Sequence, residues 1–176
     1  MNTQRIKSPE PSEFASYYSI YTDLVEGDDV LAALNAQIPV TRELLVGIPE
    51  ENGSFRYEDG KWSIKELVGH LIDTERIMAY RALRFARGDK TDIEGFDQDP
   101  YVENGNFNAC SITDLAAHFE LLRRANLHMF QGLSEKAWSR SGIASGNPVS
   151  VRALAYIIAG HEIHHLNILK ERYLAQ

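Results

Sequence analysis

Apolar residues recur in this chain in four blocks with helical spacing, and each block begins on a residue suited to a helix start. In the first, Asp28 and Asp29 can cap a helix carrying Val30, Leu34, Ile38, Leu44, Leu45 and Ile48. Pro39 inside it predicts a kink, and Pro49 marks its end. A polar loop, Glu50 to Lys61, leads to the second block. There Ser63-Ile64-Lys65-Glu66 fits a capping box, with Trp62 and Leu67 placed for a hydrophobic staple. This helix should run to about Arg87, with Gly88 in the turn.

The third block starts at Ser111 and carries Ile112, Leu115, Phe119, Leu122, Asn126, Met129 and Leu133, a stripe whose polar break is Asn126. The fourth starts at Ser150, and Leu154, Ile158, His161, His165, Ile168 and Arg172 form its inward stripe in steps of 4, 3, 4, 3, 4. Ser141 to Pro148 reads as a glycine-rich loop, and no run alternates with the period of a strand. The fold class expected is all-α: a four-helix bundle, taken as up-down-up-down, with a long connection between helices two and three. That connection, Gly88 to Cys110, is about twice the usual loop length. Phe96, Tyr101 and Phe107 can anchor it as a lid or mouth, and its carboxylates lack the spacing of an EF-hand. Residues 1–27 are expected to form an N-terminal arm, loose over 1–12 and aromatic at Phe14, Tyr17, Tyr18 and Tyr21. Residues 28–176 are expected to form the bundle.

Composition narrows the functional classes. The 176 residues suffice for one domain with its own core. A net charge of -7 with no basic block argues against nucleic acid as a partner. No apolar run approaches the roughly 20 residues of a membrane span, and the polar start does not resemble a signal peptide. The single Cys110 excludes an intrachain disulfide and a cysteine zinc site, which fits a reducing cytoplasm.

The chemistry lies in the histidines. His161 and His165 sit one turn apart in an apolar seam, where two imidazoles can hold one metal ion. His164 flanks that pair off the seam. His70, between Leu67 and Thr74 on one face of helix two, supplies a third ligand, and His118 and His128 read as surface residues. Three neutral imidazoles suit zinc, nickel, copper or iron(II), and a fourth open position suits catalysis. A water bound to zinc has a pKa near 7, and a thiol in its place is bound as thiolate. Asp73 and Glu162 are candidates to hold the imidazole N–H groups, although a solvated helical carboxylate would read the same way. Asn126 and Thr41 interrupt apolar stripes. Asn126 is expected to line a substrate pocket opposite the histidines, while Thr41 can instead bond a backbone carbonyl.

Taken together, Trp62-Ser63, Gly69-His70-Leu71-Ile72-Asp73-Thr74-Glu75, Gly95-Phe96-Asp97-Gln98-Asp99 and Ala159-Gly160-His161-Glu162-Ile163-His164-His165 resemble the DinB-like (DinB/YfiT) superfamily over about residues 28–174. The resemblance implies a four-helix bundle with a three-histidine divalent metal site at His70, His161 and His165, often zinc or nickel, and often a homodimer. It implies a metalloenzyme that transfers a low-molecular-weight thiol, such as bacillithiol, mycothiol or glutathione, to a small electrophilic substrate. The alternatives are a metal-dependent hydrolase using bound hydroxide and a non-catalytic, metal-stabilised bundle linked to stress. Arg81, Arg123 and Tyr101 could meet an anionic thiol, but no spacing selects them.

Overall fold

The computed structural model describes residues 5–175, and among them seven helices and one hairpin follow in order. These are α1 (Ser19–Thr22), α2 (Val30–Val46), α3 (Ile64–Ala86), α4 (Gln98–Asn104), α5 (Ile112–Gln131), α6 (Glu135–Trp138), β1 (Ser141–Ala144), β2 (Asn147–Ser150) and α7 (Val151–Ile168). The four long helices are the four blocks of the sequence, and their starts are side-chain capped. Asp29 accepts from Leu31 N, Ser63 and Glu66 close a reciprocal capping box, Ser111 accepts from Asp114 N, and Ser150 accepts from Ala153 N. Helix α2 continues through Pro39.

Around the bundle, α2 packs on α5, α5 on α3, α3 on α7, and α7 back on α2. The start of α2 shares an apolar cluster with the ends of α3 and α5 and the start of α7. The opposite ends share a second cluster. Helices α2 and α7 therefore run one way, and α3 and α5 run the other. The expected up-down-up-down order is corrected: the long connection carries the chain back along α3, so α5 starts where α3 starts.

That return gives the connection its structure. Its turn at Phe107–Ala109 and helix α4 lie along α3. The Phe107 ring fills the space over Gly69, where a Cβ would stand 2.3 Å from it. Ile93 bonds the tip of the hairpin, its N–H donating to Ile143 O at 2.9 Å and its carbonyl accepting from Ser145 N at 2.9 Å. The hairpin replaces the glycine-rich loop expected at 141–148. Its turn residues Ser145 and Gly146 both have positive φ, 52° and 74°, the conformation of a two-residue hairpin turn.

Two further expectations change. The stripe on α5 holds as far as Phe119. Beyond it the buried residues are Arg123, Leu127 and Phe130, while Leu122, Asn126 and Met129 are half-buried. A straight helix turns every 3.6 residues, so a stripe counted in heptads drifts round the surface. The loose tail foreseen for 1–12 falls outside the described residues at 1–4, and beyond them it is mostly exposed but anchored at Ile6. Ile6 is buried, and its carbonyl accepts from the Tyr156 hydroxyl at 2.9 Å.

A polar layer separates the two apolar clusters. Arg123 is 1 % exposed, and its guanidinium grips Glu75 through two bonds of 2.8 Å. It also lies 2.7 Å from Glu162, whose other oxygen accepts from the Thr41 hydroxyl. Gln37 accepts from Arg123 at 3.1 Å, and Asn126 donates to Glu75 at 3.0 Å. Both polar breaks noted in the sequence, Thr41 and Asn126, are thus absorbed by this layer.

Candidate metal centre and cavity

His70 projects from α3 and His161 and His165 from α7, two helices in broad contact. The ligand-capable atoms of the three rings all lie within 4.8 Å of one another. His70 Nε2 and His161 Nε2 approach to 3.0 Å, and the ring centroids stand 4.9, 4.8 and 4.5 Å apart. Nitrogens bound tetrahedrally at about 2.0–2.1 Å from one zinc ion would be roughly 3.3 Å apart, so the spacing suits a shared ion.

The electrostatics agree with the geometry. Burial lowers the pKa of His70 to about 4 and that of His165 to about 3. Burial also drives His161 well below its ordinary value, and the neighbouring imidazoles add to the effect. All three rings are therefore neutral at pH 7, with lone pairs free for a cation. His164 is half-buried on the side of His165, 5.1 Å from it between centroids, and lies outside the cluster.

The surroundings of each ring differ from the expectation. His70 Nδ1 lies 3.4 Å from the hydroxyl of Thr74, one turn on, and the Trp62 indole rests on its ring at 4.7 Å. Asp73 turns instead to Arg76, 3.5 Å away at the half-buried edge, and burial raises its pKa. Glu162 follows His161 by about 100° around the helix, which aims it at Thr41 and Arg123. Neither carboxylate hydrogen-bonds a ring of the cluster among the described residues; the side-chain oxygen beside His70 is that of Thr74.

His70 and His161 open onto a cavity of about 470 Å³. It is lined by Tyr17, Tyr18 and Tyr21 of the N-terminal segment, by Met78, Arg81 and Ile157 of the bundle, and by Gly95, Phe96, Asp97 and Gln98 of the long connection. The segment docks over α7 because Gly160 has no side chain: a Cβ there would stand 1.9 Å from the Tyr21 carbonyl oxygen. Tyr21 then meets His161 and His164 edge-on, with centroids 5.2 and 5.3 Å apart. Asn126 is not part of the lining, because its amide is committed to Glu75. Arg123 is likewise committed to carboxylates, and Tyr101 stands outside against Phe96 at 5.3 Å. Of the three residues considered for an anionic group, the cavity takes only Arg81. The roles of Gly160 and of the Thr41–Glu162–Arg123–Glu75 layer escaped the sequence reading, although the glycine beside a helical histidine was a visible signal.

A four-helix bundle with a three-histidine cluster on a cavity wall defines the class of protein. The family model of the DinB superfamily matches residues 33–169, and the chain belongs to that superfamily. Among its relatives is "Putative metal-dependent hydrolase OB0413" of Oceanobacillus iheyensis, 27% identical over 130 residues, which are 73% of this chain and 74% of that one. The fold matches that of YfiT from Bacillus subtilis, a four-helix bundle of unusual topology, with a TM-score of 0.71 and 15% identity over 94% of this chain and 91% of that one. It also matches a mycothiol-dependent maleylpyruvate isomerase, with a TM-score of 0.64 and 13% identity over 78% of this chain and 58% of that one.

Proposed function

We propose that this protein is a metal-dependent enzyme that joins a low-molecular-weight thiol to a small electrophilic substrate. His70, His161 and His165 would hold a divalent transition metal; the donor set suits zinc, nickel, copper or iron(II), and the family resemblance favours zinc or nickel. The observation carrying the proposal is that a neutral three-imidazole cluster borders a cavity through His70 and His161. Structural zinc sites are normally closed by four protein ligands, whereas here three gather among the described residues and two of them, His70 and His161, line open volume. A bound ion supplies Lewis acidity, which lowers the pKa of a thiol or water brought to it.

The protein's own residues do the remainder. Thr74 and the Trp62 ring fix the plane of His70, and Tyr21 fixes His161. The tyrosine wall and Phe96 shield the reacting atoms from bulk water. In the transfer, the thiol sulfur bonds the electrophilic carbon, the leaving group departs with its electron pair, and the thiol proton passes to solvent. The dependence of the isomerase on mycothiol supports a thiol co-substrate. The name of the Oceanobacillus relative supports a second reading, hydrolysis by a metal-activated water.

The test is a turnover screen of zinc- and nickel-loaded protein with several thiols against monochlorobimane, run beside ester substrates. Thiol-dependent turnover lost in His161→Ala is the expected result. Ester cleavage without thiol would favour the hydrolase. Full metal loading with no turnover of either kind would favour a non-catalytic, metal-stabilised bundle. The proposed setting is the cytoplasm and the proposed assembly a C2 homodimer, which sedimentation of a monomer at micromolar concentration would remove.

A further inference from the structure

The protein has two fully buried arginines, and it treats them differently. Arg123 is held by Glu75 and Glu162. Arg81, 2 % exposed, pairs with no carboxylate among the described residues. Its Nη2 donates to the Glu94 carbonyl and to the Ser145 hydroxyl, both at 3.1 Å. Its Nη1 reaches Met78 Sδ at 3.7 Å, and its Nε has no partner. The guanidinium also lies 5.9 Å from the centre of the Phe96 ring. Every one of these contacts is uncharged. A buried cation is ordinarily retained only when an anion offsets its desolvation, and Arg81 lines the cavity onto which the histidines open.

We propose that Arg81 binds an anionic group, a carboxylate above all, on the molecule that enters this cavity. The positioning of Arg81 is built in. Ser145 holds the required backbone at φ 52°, stabilised by the bond to Ile93, and the tip of the hairpin thereby aims its hydroxyl at the guanidinium. Glu94 comes from the long connection, so two remote segments converge on one cation of α3. Asp97 at the mouth is exposed and caps Asp99 N at 3.1 Å, which leaves the deeper position to the incoming anion.

The geometry also sets a length. His70 and Arg81 lie on α3 three turns apart, roughly 16 Å at about 1.5 Å per residue. Helical side chains lean toward the N-terminus, and the contact with Met78 shows that Arg81 does so toward His70. His70 leans the same way, so the guanidinium and the imidazole of His70 stay apart by the rise between their positions, on the order of 16 Å. Between them the lining mixes apolar Met78, Ile157 and Phe96 with the weakly polar Thr74 and tyrosines. The ligand class is therefore a small molecule with a carboxylate at one end, an apolar or weakly polar middle, and its reacting atom at the other. This specificity rests on reading the histidine cluster as the reaction centre, whereas anion binding at Arg81 does not.

The experiment uses the full-length, metal-free protein and titrates octanoate and its neutral isostere octanamide by calorimetry. Wild-type protein should prefer octanoate by at least about tenfold, and Arg81→Met should reduce the preference below about twofold, with Arg81→Lys intermediate. Equal binding of the two probes by wild-type protein overturns the proposal without recourse to any variant. A preference that persists in a folded Arg81→Met protein overturns it as well. Because neither metal nor thiol is present, these results are separate from the turnover screen. Thiol transfer without an octanoate preference would leave the reaction standing and remove the role of Arg81.

Discussion

Replacing Gly160 by alanine sets two opposing terms against each other. In a helix interior alanine is favoured over glycine by about 1 kcal/mol. Against this, the new Cβ would stand 1.9 Å from the Tyr21 carbonyl oxygen and 2.4 Å from its carbon, where real Cβ atoms do not come within 3.0 Å. Helix α7 cannot yield, because α2 and α3 hold it from the other sides. The segment carrying Tyr17, Tyr18 and Tyr21 must move by at least about 1 Å, an overpacking that costs up to about 3 kcal/mol because the obstacle is backbone. The net expectation is a loss of about 2 kcal/mol, read as a lower urea midpoint at unchanged slope. Chymotrypsin should then cut at Tyr17, Tyr18 or Tyr21 faster than in the wild type. Metal content should persist, since the three histidines come from α3 and α7. Equal or greater stability with unchanged protection at these tyrosines would refute the idea that close approach of the arm is what requires glycine.

Elemental analysis should find about one transition metal ion per chain, most of it lost in His161→Ala and retained in His164→Ala; equal loss from both would place His164 among the ligands. Metal-free protein should lose stability as the pH falls from about 6.5 toward 4, because unfolded histidines take up protons that the folded rings, depressed to about 4 at His70 and about 3 at His165, refuse. The loss at pH 5 amounts to about 2 kcal/mol per histidine, and a urea midpoint flat over that range would contradict it. Arg123→Met leaves Glu75 and Glu162 buried without their cation and should destabilise the protein by about 3–5 kcal/mol in urea unfolding. A change below about 1 kcal/mol would mean that the layer is solvated.

What the sequence revealed was local. The capping box at Ser63 and Glu66, the caps at Ser111 and Ser150, and the pairing of His161 with His165 each depend on residues within one or two turns, so spacing suffices. The direction of α5 depends on where a long connection ends in space, which no periodicity encodes. Arg123 was hidden because counting in heptads selected Leu122 and Asn126, on either side of it, as the inward positions. The hairpin was hidden because Pro148 and the short strands lack alternation, although Ser145-Gly146 carries the turn chemistry. Arg81 could not be chosen from sequence at all. What distinguishes it is the absence of an acidic neighbour, and that depends on Glu94 offering its carbonyl and Ser145 its hydroxyl from remote segments.

The polar layer through the middle of the bundle has a consequence for how the molecule breathes. The apolar cluster at the arm end and the one at the opposite end meet across Thr41, Glu75, Arg123 and Glu162 rather than across hydrocarbon. Dispersion contacts weaken steeply with separation, whereas an ion pair still exerts force after a small displacement. The layer thus tolerates a small shift of one half against the other without releasing them, so that the arm, the hairpin and the first turns of α7 can loosen while the far end of the bundle stays closed. Amide exchange should divide there into two groups with different opening free energies. A ligand could then enter through a motion of one half of the fold, with the helix register kept by the other.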